Sequence, residues 1–409
     1  MIEIVTFGCR LNSLESEIMR RAAEKSGLDG AIIINTCAVT AEAERQARQK
    51  IRNLIFANPG KKIIIAGCAA QNDAEEWAKN PAVFAILGNK EKLDAKTYLA
   101  LASYASTAKT PLLMCAPVEK KTAAPDITAH GDPLKFEGKT KAFVQIQQGC
   151  DSRCAYCIVP LVRGNSASFP QSAVLGQVSS AIKSGYKEII LTGVDISAYD
   201  GGIAGIAEKI LAKFPELPRL RLSSLDPARD YSALFHLMRR EPRLMPHLHL
   251  SMQSGSDKIL RLMRRRHKAA DIERLARAAR DANPDISIGA DIIAGFPGET
   301  NEDFEETYKL VERLNLTHLH VFPYSRRPGT PAAAMPGQIH MAEKKARAER
   351  LRALGDSLKS ELIRAQEGRT AEVLVEKDNR GYTDNYIEIK IPGEKIEPNT
   401  IVKIDFPKS

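Results

Sequence analysis

Short apolar runs of strand length alternate with helix-like stretches through the centre of this chain, and this alternation limits the folds open to it. Six such runs, spaced by plausible helices, fall within residues 142–340. Alternating strands and helices favour a parallel sheet, and six units in succession favour a parallel barrel that is not fully closed. We therefore predict a partial (β/α)6 barrel from the runs AFVQIQQG, KEIILTGVD, RLRLSSLD, HLHLSMQSG, SIGADIIAGFPG and HLHVFPYS.

Residues 1–116 contain a separate α/β series. The runs IEIVTF, AIIINT and KKIIIAG predict strands, and the helix-like stretches between them predict a parallel arrangement. Cys9, Cys37 and Cys68 each stand within three residues of the end of one of these strands. Ligand sites in open α/β sheets gather outside the carboxyl ends of the strands, so these three cysteines can converge on one point.

The rest of the chain divides into a linker, a helix and a small β module. Residues 117–141 are rich in Pro, Gly, Thr and charge, which predicts a linker. Residues 341–368 form a charged, helix-like stretch that connects the barrel to the tail. Residues 369–409 alternate apolar and polar side chains, with turns predicted at NRG and PGE, and this pattern is typical of a small β module.

Composition narrows the cellular setting and the partners. A chain of 409 residues is too long for one ordinary core, and 44% hydrophobic with 27% charged residues is typical of a globular protein. No apolar run reaches the roughly 18 to 20 residues that span a bilayer, and the N-terminus lacks a signal-peptide pattern, so we expect a cytoplasmic protein. In that reducing setting the seven cysteines favour metal binding or chemistry over disulfides. The net charge of +9 favours a polyanionic partner such as RNA without establishing one.

The strongest chemical signal is GCDSRCAYCIVP, which places Cys150, Cys154 and Cys157 directly after the first barrel strand. Thiolates are the usual ligands of iron-sulfur clusters, and three of them on a four-iron cluster leave one iron open. An open coordination position distinguishes a reactive metal centre from a structural one. A structural zinc site is the alternative, but three cysteines without a nearby histidine or fourth cysteine suit zinc poorly.

CxxxCxxC after the first barrel strand resembles the radical S-adenosylmethionine superfamily. The resemblance implies that the open iron binds the methionine moiety of S-adenosylmethionine and that reductive cleavage gives a 5'-deoxyadenosyl radical. Further segments resemble that family's cofactor-binding loops, in the same order along the chain. They are LTGVD, RLSSLDP, LSMQSGSD and GADIIAGFPGET, and with the aromatic residue between the second and third cysteines they give as cofactor-binding candidates Tyr156, Thr192, Gly193, Asp195, Ser223, Ser251, Gln253, Asp291, Gly295 and Phe296.

The N-terminal cysteines resemble a narrower group, the methylthiotransferase family of radical S-adenosylmethionine enzymes. TFGCRLNSLES, INTCAVT and AGCAAQ resemble its N-terminal domain, which implies a second [4Fe-4S] cluster on Cys9, Cys37 and Cys68. Buried structural cysteines are the alternative. The resemblance also implies a sulfur donor, either sulfide or polysulfide, and a flavodoxin- or ferredoxin-like electron donor. Arg163 matches a family arginine and is a catalytic candidate beside the first three cysteines, with a surface salt bridge as its alternative role.

The substrate follows from the same resemblance. GCRLNSLES and YSRRPGTPAAAMPGQI are most similar to the branch that thiomethylates C2 of N6-threonylcarbamoyladenosine at position 37 of tRNA. Isopentenyladenosine-37 in tRNA and a ribosomal-protein aspartate are the alternatives within the family. A zinc-binding RNA-binding protein and a simple electron carrier are the alternatives outside it.

Two regions are candidates for contact with the tRNA anticodon loop. From His236 to Asp281 there are twelve Lys or Arg against five Asp or Glu, including Arg264, Arg265 and Arg266, which predicts either phosphate contacts or a solvated helix face. The tail resembles a TRAM domain, a small RNA-binding β-barrel, but it carries seven Lys or Arg against eight Asp or Glu. For its Tyr382 and Tyr386, core packing is favoured over stacking on bases.

Overall fold

An N-terminal parallel sheet begins the chain in the computed structural model, which describes residues 2–104, 111–118, 136 and 138–406. Its five strands are hydrogen-bonded in sequence order, and all paired neighbours are parallel. All six residues of the second strand are buried, as expected for a strand with helices on both faces. The elements are β1 (Glu3–Thr6), α1 (Arg10–Lys25), β2 (Ala31–Thr36), α2 (Ala41–Ala57), β3 (Lys62–Gly67), α3 (Cys68–Asn72), α4 (Ala74–Ala78), β4 (Val83–Leu87), α5 (Ala95–Ser103) and β5 (Leu112–Met114).

Six parallel strands and their helices form the central region, which confirms the partial barrel predicted from the sequence. Its elements are β6 (Lys141–Gln145), β7 (Gln147–Gln148), α6 (Val159–Arg163), β8 (Ala167–Ser168), α7 (Gln171–Lys183), β9 (Glu188–Thr192), α8 (Ile203–Lys213), β10 (Arg219–Leu222), α9 (Ser232–Arg240), β11 (His247–Gln253), α10 (Asp257–Leu262), α11 (Ala269–Ala282), β12 (Ser287–Ala294), α12 (Asn301–Arg313) and β13 (His318–Pro323). Apolar side chains from the outer faces of the strands and from the surrounding helices form the largest core of the molecule.

The barrel is open on one side. Strands β6, β9 and β10 form one parallel sheet, and β11, β12 and β13 form another. Isolated bridges from Leu220 to Leu244 and from Leu225 to Leu250 join β10 to β11. Within the described residues β6 and β13 do not pair with each other, so the barrel has two edge strands with a gap between them.

A long helix and a small antiparallel sheet complete the chain. The elements are α13 (Met341–Arg364), β14 (Thr370–Val375), β15 (Arg380–Thr383), β16 (Glu388–Lys390) and β17 (Ile401–Asp405). The sheet has the strand order β16-β15-β14-β17, in line with the predicted β module. None of the helices in the described part of the chain is long and apolar enough to cross a bilayer.

The turn before β15 and the segment before β6 were both singled out in the sequence. The turn predicted at NRG is present at its first residue, Asn379, and β15 begins at the second, Arg380. The reversal lies one or two residues earlier, where Asp378 and Asn379 adopt the left-handed backbone conformation that such residues tolerate. The predicted linker, residues 117–141, lies mostly outside the described residues, and its last residue, Lys141, begins β6.

The terminal module covers the amino-terminal end of the barrel strands. The Arg219 guanidinium donates to the backbone oxygens of Tyr382 and Glu372 at 3.0 and 2.7 Å. The ring of Tyr386 packs against that of His247, with 4.6 Å between centroids, and stacks on Tyr382 at 4.8 Å. Both tyrosines are half-buried, and these contacts favour packing against the barrel over stacking on bases as their role. The opposite end of the barrel, where the strands terminate, is free of this module.

Candidate active site

The first cysteine set lies in the loop after β7, at the carboxyl end of the barrel strands. The loop leaves the strand through Gly149, whose φ of +67° lies in the left-handed region. It closes on the segment after α6, where the Cys150 N–H donates to the Gly164 oxygen at 3.0 Å. Cys154 is buried and Cys157 is half-buried. All three thiols therefore lie at the carboxyl end of the strands, which is where parallel barrels have their active sites.

Gly149→Ala is expected to disrupt this loop. A Cβ at this position would lie 1.9 Å from the Asn165 backbone oxygen, and the positive φ adds strain for any residue with a side chain. We expect the variant to lose the iron of the first set, about half of the total, after anaerobic reconstitution. Gly176→Ala is the matched control, because a Cβ there has nothing within 4 Å. An unchanged iron content in Gly149→Ala would show that the loop does not shape the site.

Hydrogen-bond donors surround the sulfur atoms of this set. The Arg265 guanidinium lies 3.4 Å from the Cys154 Sγ, and the Ser152 N–H lies 3.4 Å from the Cys150 Sγ. Burial raises the pKa of Cys157 to about 12. A thiol with a raised pKa loses its proton when a metal ion binds, and N–H donors then stabilise the thiolate.

The spacing of the sulfurs suits a cluster better than a single metal ion. In the residues that the structure describes, only His249, Asp291 and His320 bring three potential ligand atoms within 4.8 Å of one another, so neither cysteine set does. A single zinc with Zn–S bonds of about 2.3 Å would hold its sulfurs about 3.8 Å apart. Sulfurs that lie farther apart suit a polynuclear iron-sulfur cluster better, and within the searched part of the chain neither set belongs to a group of closely spaced ligand atoms that would hold a structural zinc.

Arg265 connects the cysteines to the predicted cofactor loops. Besides Cys154, its guanidinium contacts the Ser251 oxygen at 2.9 Å and the Asp226 carboxylate at 3.0 Å. Asp195 faces both Cys150 and Asp226, and burial together with the charge of Asp226 raises its pKa. One thiol set, two carboxylates and one guanidinium thus form a polar site at the strand ends.

Four more predicted cofactor residues lie at the same end of the strands. Thr192 is the last residue of β9. The next residue, Gly193, lies so close to β7 that a Cβ on it would be 2.8 Å from the Gln147 oxygen. Ser223 follows β10, and its N–H donates to the Leu191 oxygen at 3.0 Å. Gln253 ends β11 after a register shift and has a φ of +68°. Cofactor contact by these residues remains a prediction.

The remaining predicted residues divide between the cysteine loop and the barrel interior. Tyr156 packs edge-on against Phe296, with 6.5 Å between ring centroids, beneath the first cysteine set. Gly295 turns the chain after β12, and its N–H donates to Glu299 at 2.7 Å. Asp291 points into the barrel, where its carboxylate contacts His249 at 3.0 Å and His320 at 3.3 Å.

The second cysteine set lies at the carboxyl ends of three adjacent strands of the N-terminal sheet. Cys9 precedes α1, Cys37 directly follows β2, and Cys68 directly follows β3. Gly8 approaches Cys37 so closely that a Cβ would lie 2.9 Å from its sulfur. Burial, and then the neighbouring Cys68, raise the pKa of Cys37 to about 12. The convergence predicted from the strand ends is therefore present in the structure.

Arg163 lies at the second set and not at the first. Its Nε donates to the Cys68 Sγ at 3.1 Å, and its Nη1 donates to Glu15 at 2.7 Å. Glu15 also pairs with Lys92 at 2.6 Å, and all three charged side chains are buried. The predicted alternative, a surface salt bridge, is wrong, because Arg163 is buried between two domains.

This ion network is short of one negative charge. Two buried cations, Arg163 and Lys92, share the single carboxylate of Glu15. Burial raises the pKa of Glu15, but the two cations outweigh it and lower the pKa to about 2. The Cys68 sulfur, which lies 3.1 Å from the Arg163 Nε, is placed to supply negative charge when it ligates a metal. The residues present therefore fit an anionic metal–thiolate group at this set, because isolated buried charges are costly.

Helix α6 joins the two cysteine sets. It begins two residues after Cys157 and ends at Arg163, and its five residues span about 7.5 Å. The Val162 oxygen accepts a hydrogen bond from Asn89 at 2.8 Å, and Asn89 also lies 3.7 Å from the Cys68 Sγ. The two sets consequently face each other across one short helix. Cys115 stands apart, half-buried, with its sulfur 4.0 Å from the Ala70 oxygen.

Sequence interpretation missed four charged residues of these sites. Glu15 stands inside the TFGCRLNSLES segment, so that motif contained a signal for it, whereas Lys92 belongs to no motif and only the fold brings it to Glu15. Asp226 stands inside the RLSSLDP segment, so that motif contained a signal for it. Arg265 was placed in a basic cluster for phosphate contacts, and the structure instead buries it between Asp226 and Cys154.

Comparison with known proteins agrees with this arrangement. The model of the Radical SAM superfamily matches residues 144–311, and that of the Uncharacterized protein family UPF0004 matches residues 1–88. The radical S-adenosylmethionine methyltransferase TsrM from Kitasatospora setae has a similar fold, with a TM-score of 0.59 and 15% identity over 81% of this chain and 76% of that one. Fold and site together define a radical S-adenosylmethionine enzyme.

Curated relatives identify the family. The threonylcarbamoyladenosine tRNA methylthiotransferase MtaB of Rickettsia prowazekii is 43% identical over 400 residues, 95% of this chain and 91% of its own. The tRNA-2-methylthio-N(6)-dimethylallyladenosine synthase of Jannaschia sp. (strain CCS1) is 37% identical over 403 residues, 92% and 84% of the two chains. The chain belongs to the methylthiotransferase family of radical S-adenosylmethionine enzymes.

Proposed function

We propose that this enzyme adds a methylthio group to C2 of N6-threonylcarbamoyladenosine at position 37 of tRNA, in the cytoplasm. The observation that carries the chemistry is the pair of cysteine sets facing each other across α6. One set alone serves many reactions, whereas two sets joined by α6 suit the combined delivery of a radical and a sulfur atom. The greater similarity to the MtaB relative, 43% against 37% identity, supports threonylcarbamoyladenosine as the substrate over isopentenyladenosine.

Each cysteine set holds one [4Fe-4S] cluster in this proposal. When bound, the cluster and S-adenosylmethionine at the first set supply a carbon radical, and the cluster at the second set supplies sulfur drawn from sulfide or polysulfide. Cys150, Cys154 and Cys157 are the ligands of the first, with Arg265 as a donor to Cys154. Cys9, Cys37 and Cys68 are the ligands of the second, with Arg163 as a donor to Cys68.

The surface around the first cysteine set supports contact with an anticodon loop. Arg264 follows Met263, whose oxygen accepts a hydrogen bond from Ala155 in the cysteine loop. Arg264 and Lys268 are exposed there. By contrast, Arg243, Lys258 and several neighbours are engaged in ion pairs, so only part of the basic cluster is free for phosphates. A flavodoxin- or ferredoxin-like protein completes the system as electron donor.

Nucleoside analysis tests the substrate. We expect a strain without this gene to lose 2-methylthio-N6-threonylcarbamoyladenosine from its tRNA while isopentenyl-derived nucleosides stay normal. The purified, reconstituted enzyme should restore the modification to that tRNA when supplied with S-adenosylmethionine, a reductant and sulfide, as measured by mass spectrometry. Cys154→Ala is the negative control. Nucleosides that do not change on deletion would overturn the proposed substrate.

A further inference from the structure

The barrel interior contains a layer of polar side chains that the chemistry above does not use. His249, Asp291 and His320 lie on the adjacent strands β11, β12 and β13, and Asp291 is the register partner of His320. Both histidines contact the same Asp291 oxygen, at 3.0 and 3.3 Å. The His249 side chain is buried, whereas that of His320 is 58% exposed. The layer therefore opens to solvent at the edge of the barrel.

This layer lies directly beneath the first cysteine set. Ser251 follows His249 by two residues, on the same face of β11, and its oxygen is bound by the Arg265 guanidinium that also contacts Cys154. Two residues of strand correspond to about 7 Å. A base whose ring lies level with the cofactor would therefore place its substituent in this layer.

Tyr386 closes the lower part of the gap between the two edge strands. Its oxygen accepts from the His318 Nε2 at 3.0 Å on β13, and the Lys141 Nζ on β6 lies 5.1 Å from its ring. Its hydroxyl accepts from Arg10, the first residue of α1, at 3.4 Å. The next inward positions of β13 are His320 and Phe322. The gap above Tyr386 is therefore bordered by Arg10 on one side and by His320 and Phe322 on the other.

Arg10 brings a positive charge to this gap without a carboxylate partner. In the described part of the chain it makes no ion pair, although it is half-buried. The other cations of the barrel interior are paired, Lys141 with Glu376 at 2.8 Å and Arg221 with Glu188 at 3.0 Å. Arg10 also lines a cavity of about 430 Å³ between β6 and the terminal module. Three carboxylates share this cavity, Glu376, Asp378 and Glu388, and two of them are paired, Glu376 with Lys141 and Glu388 with Arg380. A half-buried guanidinium in a cavity favours an anionic ligand, ideally a carboxylate or phosphate.

Phe322 adds an apolar platform next to these polar groups. It is 42% exposed, although it lies in a strand whose neighbours are largely covered. Exposed aromatic rings at such sites serve as stacking surfaces for bases. An aromatic face, a carboxylate with two histidines, and a guanidinium that makes no ion pair within the described residues thus border this opening.

We propose that this opening, formed by Arg10, Asp291, His320 and Phe322, binds the threonylcarbamoyl group of the substrate. The inference rests on the proposed function, and it assigns the groups that select the modified base. The substituent carries a carboxylate, which pairs with Arg10, and N–H and O–H donors, which suit Asp291. The adenine ring stacks on Phe322, with His320 beside the substituent.

The arrangement also explains rejection of an apolar substituent. An isopentenyl group offers neither a carboxylate for Arg10 nor a donor for Asp291, so both polar groups would be covered without partners. Sites built to hydrogen-bond a polar substrate discriminate strongly against analogues that lack the bonding groups. The same opening therefore discriminates between threonylcarbamoyladenosine and isopentenyladenosine.

Binding of short RNAs tests the proposal. Anticodon stem-loops with threonylcarbamoyladenosine, isopentenyladenosine or adenosine at position 37 are titrated against the reconstituted enzyme with S-adenosylhomocysteine present. We expect the wild type to prefer the threonylcarbamoyl RNA by at least about tenfold, and Arg10→Met and His320→Ala each to lose most of that preference. Lys183→Met, which removes one exposed charge on α7, should keep it. Iron content is measured throughout, because Arg10 adjoins Cys9.

Three outcomes decide the matter. If the wild type thiomethylates threonylcarbamoyladenosine but both variants keep its preference, the pocket is overturned and the function stands. If the wild type neither prefers nor modifies that nucleoside, the function and the pocket fall together. If a divalent metal ion other than iron copurifies and is lost in His320→Ala, then His249, Asp291 and His320 form a metal site, and the proposal is overturned.

Discussion

Cys154→Ala is expected to abolish 5'-deoxyadenosine formation, whereas Cys37→Ala should retain it and lose only thiomethylation. The reason is the separation of the thiols into two sets, one in the barrel loop and one on the N-terminal sheet. The wild type should hold about eight irons per chain and each variant about four, since each set binds one four-iron cluster. Anaerobic reconstitution, iron analysis and chromatography of the nucleoside products provide the measurements.

Cys115→Ala is the matched control for this pair. Its thiol is half-buried and belongs to neither set, so we expect eight irons and full product formation. Loss of 5'-deoxyadenosine in Cys37→Ala as well would contradict the division of labour between the sets. A colourless wild type that binds zinc would contradict the cluster assignment itself and favour a zinc-binding RNA-binding protein.

Glu15→Gln should lower the free energy of unfolding of the N-terminal domain by about 3 to 5 kcal/mol. The substitution leaves the buried charges of Arg163 and Lys92 without their shared carboxylate, and breaking a buried ion pair from one side has a cost of that size. Trp77, the single tryptophan of the chain, is buried in this domain. Its fluorescence during urea denaturation of the metal-free protein reports on the domain directly.

Acid should remove the difference between the wild type and this variant. The pKa of Glu15 is about 2 in the folded protein and 4.5 as its ordinary value, so its charged form adds stability above pH 4.5. That contribution is lost as the pH falls from 4.5 through about 2. Glu42→Gln is the control, because Glu42 is exposed, where it pairs with Arg45 and accepts a hydrogen bond from Gln46, and exposed ion pairs are worth little. Equal urea midpoints for both variants at pH 7 would refute the assigned role of Glu15.

The positions of the cysteines could be predicted from the sequence, but the charged side chains around them could not. Cys9, Cys37 and Cys68 follow strands, and strand ends are visible as the ends of apolar runs, so their convergence was predictable. Arg163 meets Glu15 across 148 residues of sequence, and no local pattern encodes that pairing. The run of three arginines at 264–266 has the same composition whether it is solvated or buried. Only tertiary packing places Arg265 against Asp226.

The terminal module shows the same limit. Alternation predicted its strands, but not that Tyr386 lies in the gap of the barrel. That contact depends on the positions of β6 and β13, which the tail sequence does not encode. His249, Asp291 and His320 likewise belong to three separate strands, and only their register brings them together.

The position of Arg163 has a consequence for protein engineering. This side chain belongs to the barrel in sequence, yet its partners Glu15 and Cys68 belong to the preceding domain. The boundary at which two homologous enzymes can be recombined therefore does not coincide with the domain boundary. A chimera that exchanges the first 88 residues must carry α6 along with them, and one that does not would join a foreign sulfur site to an unmatched arginine.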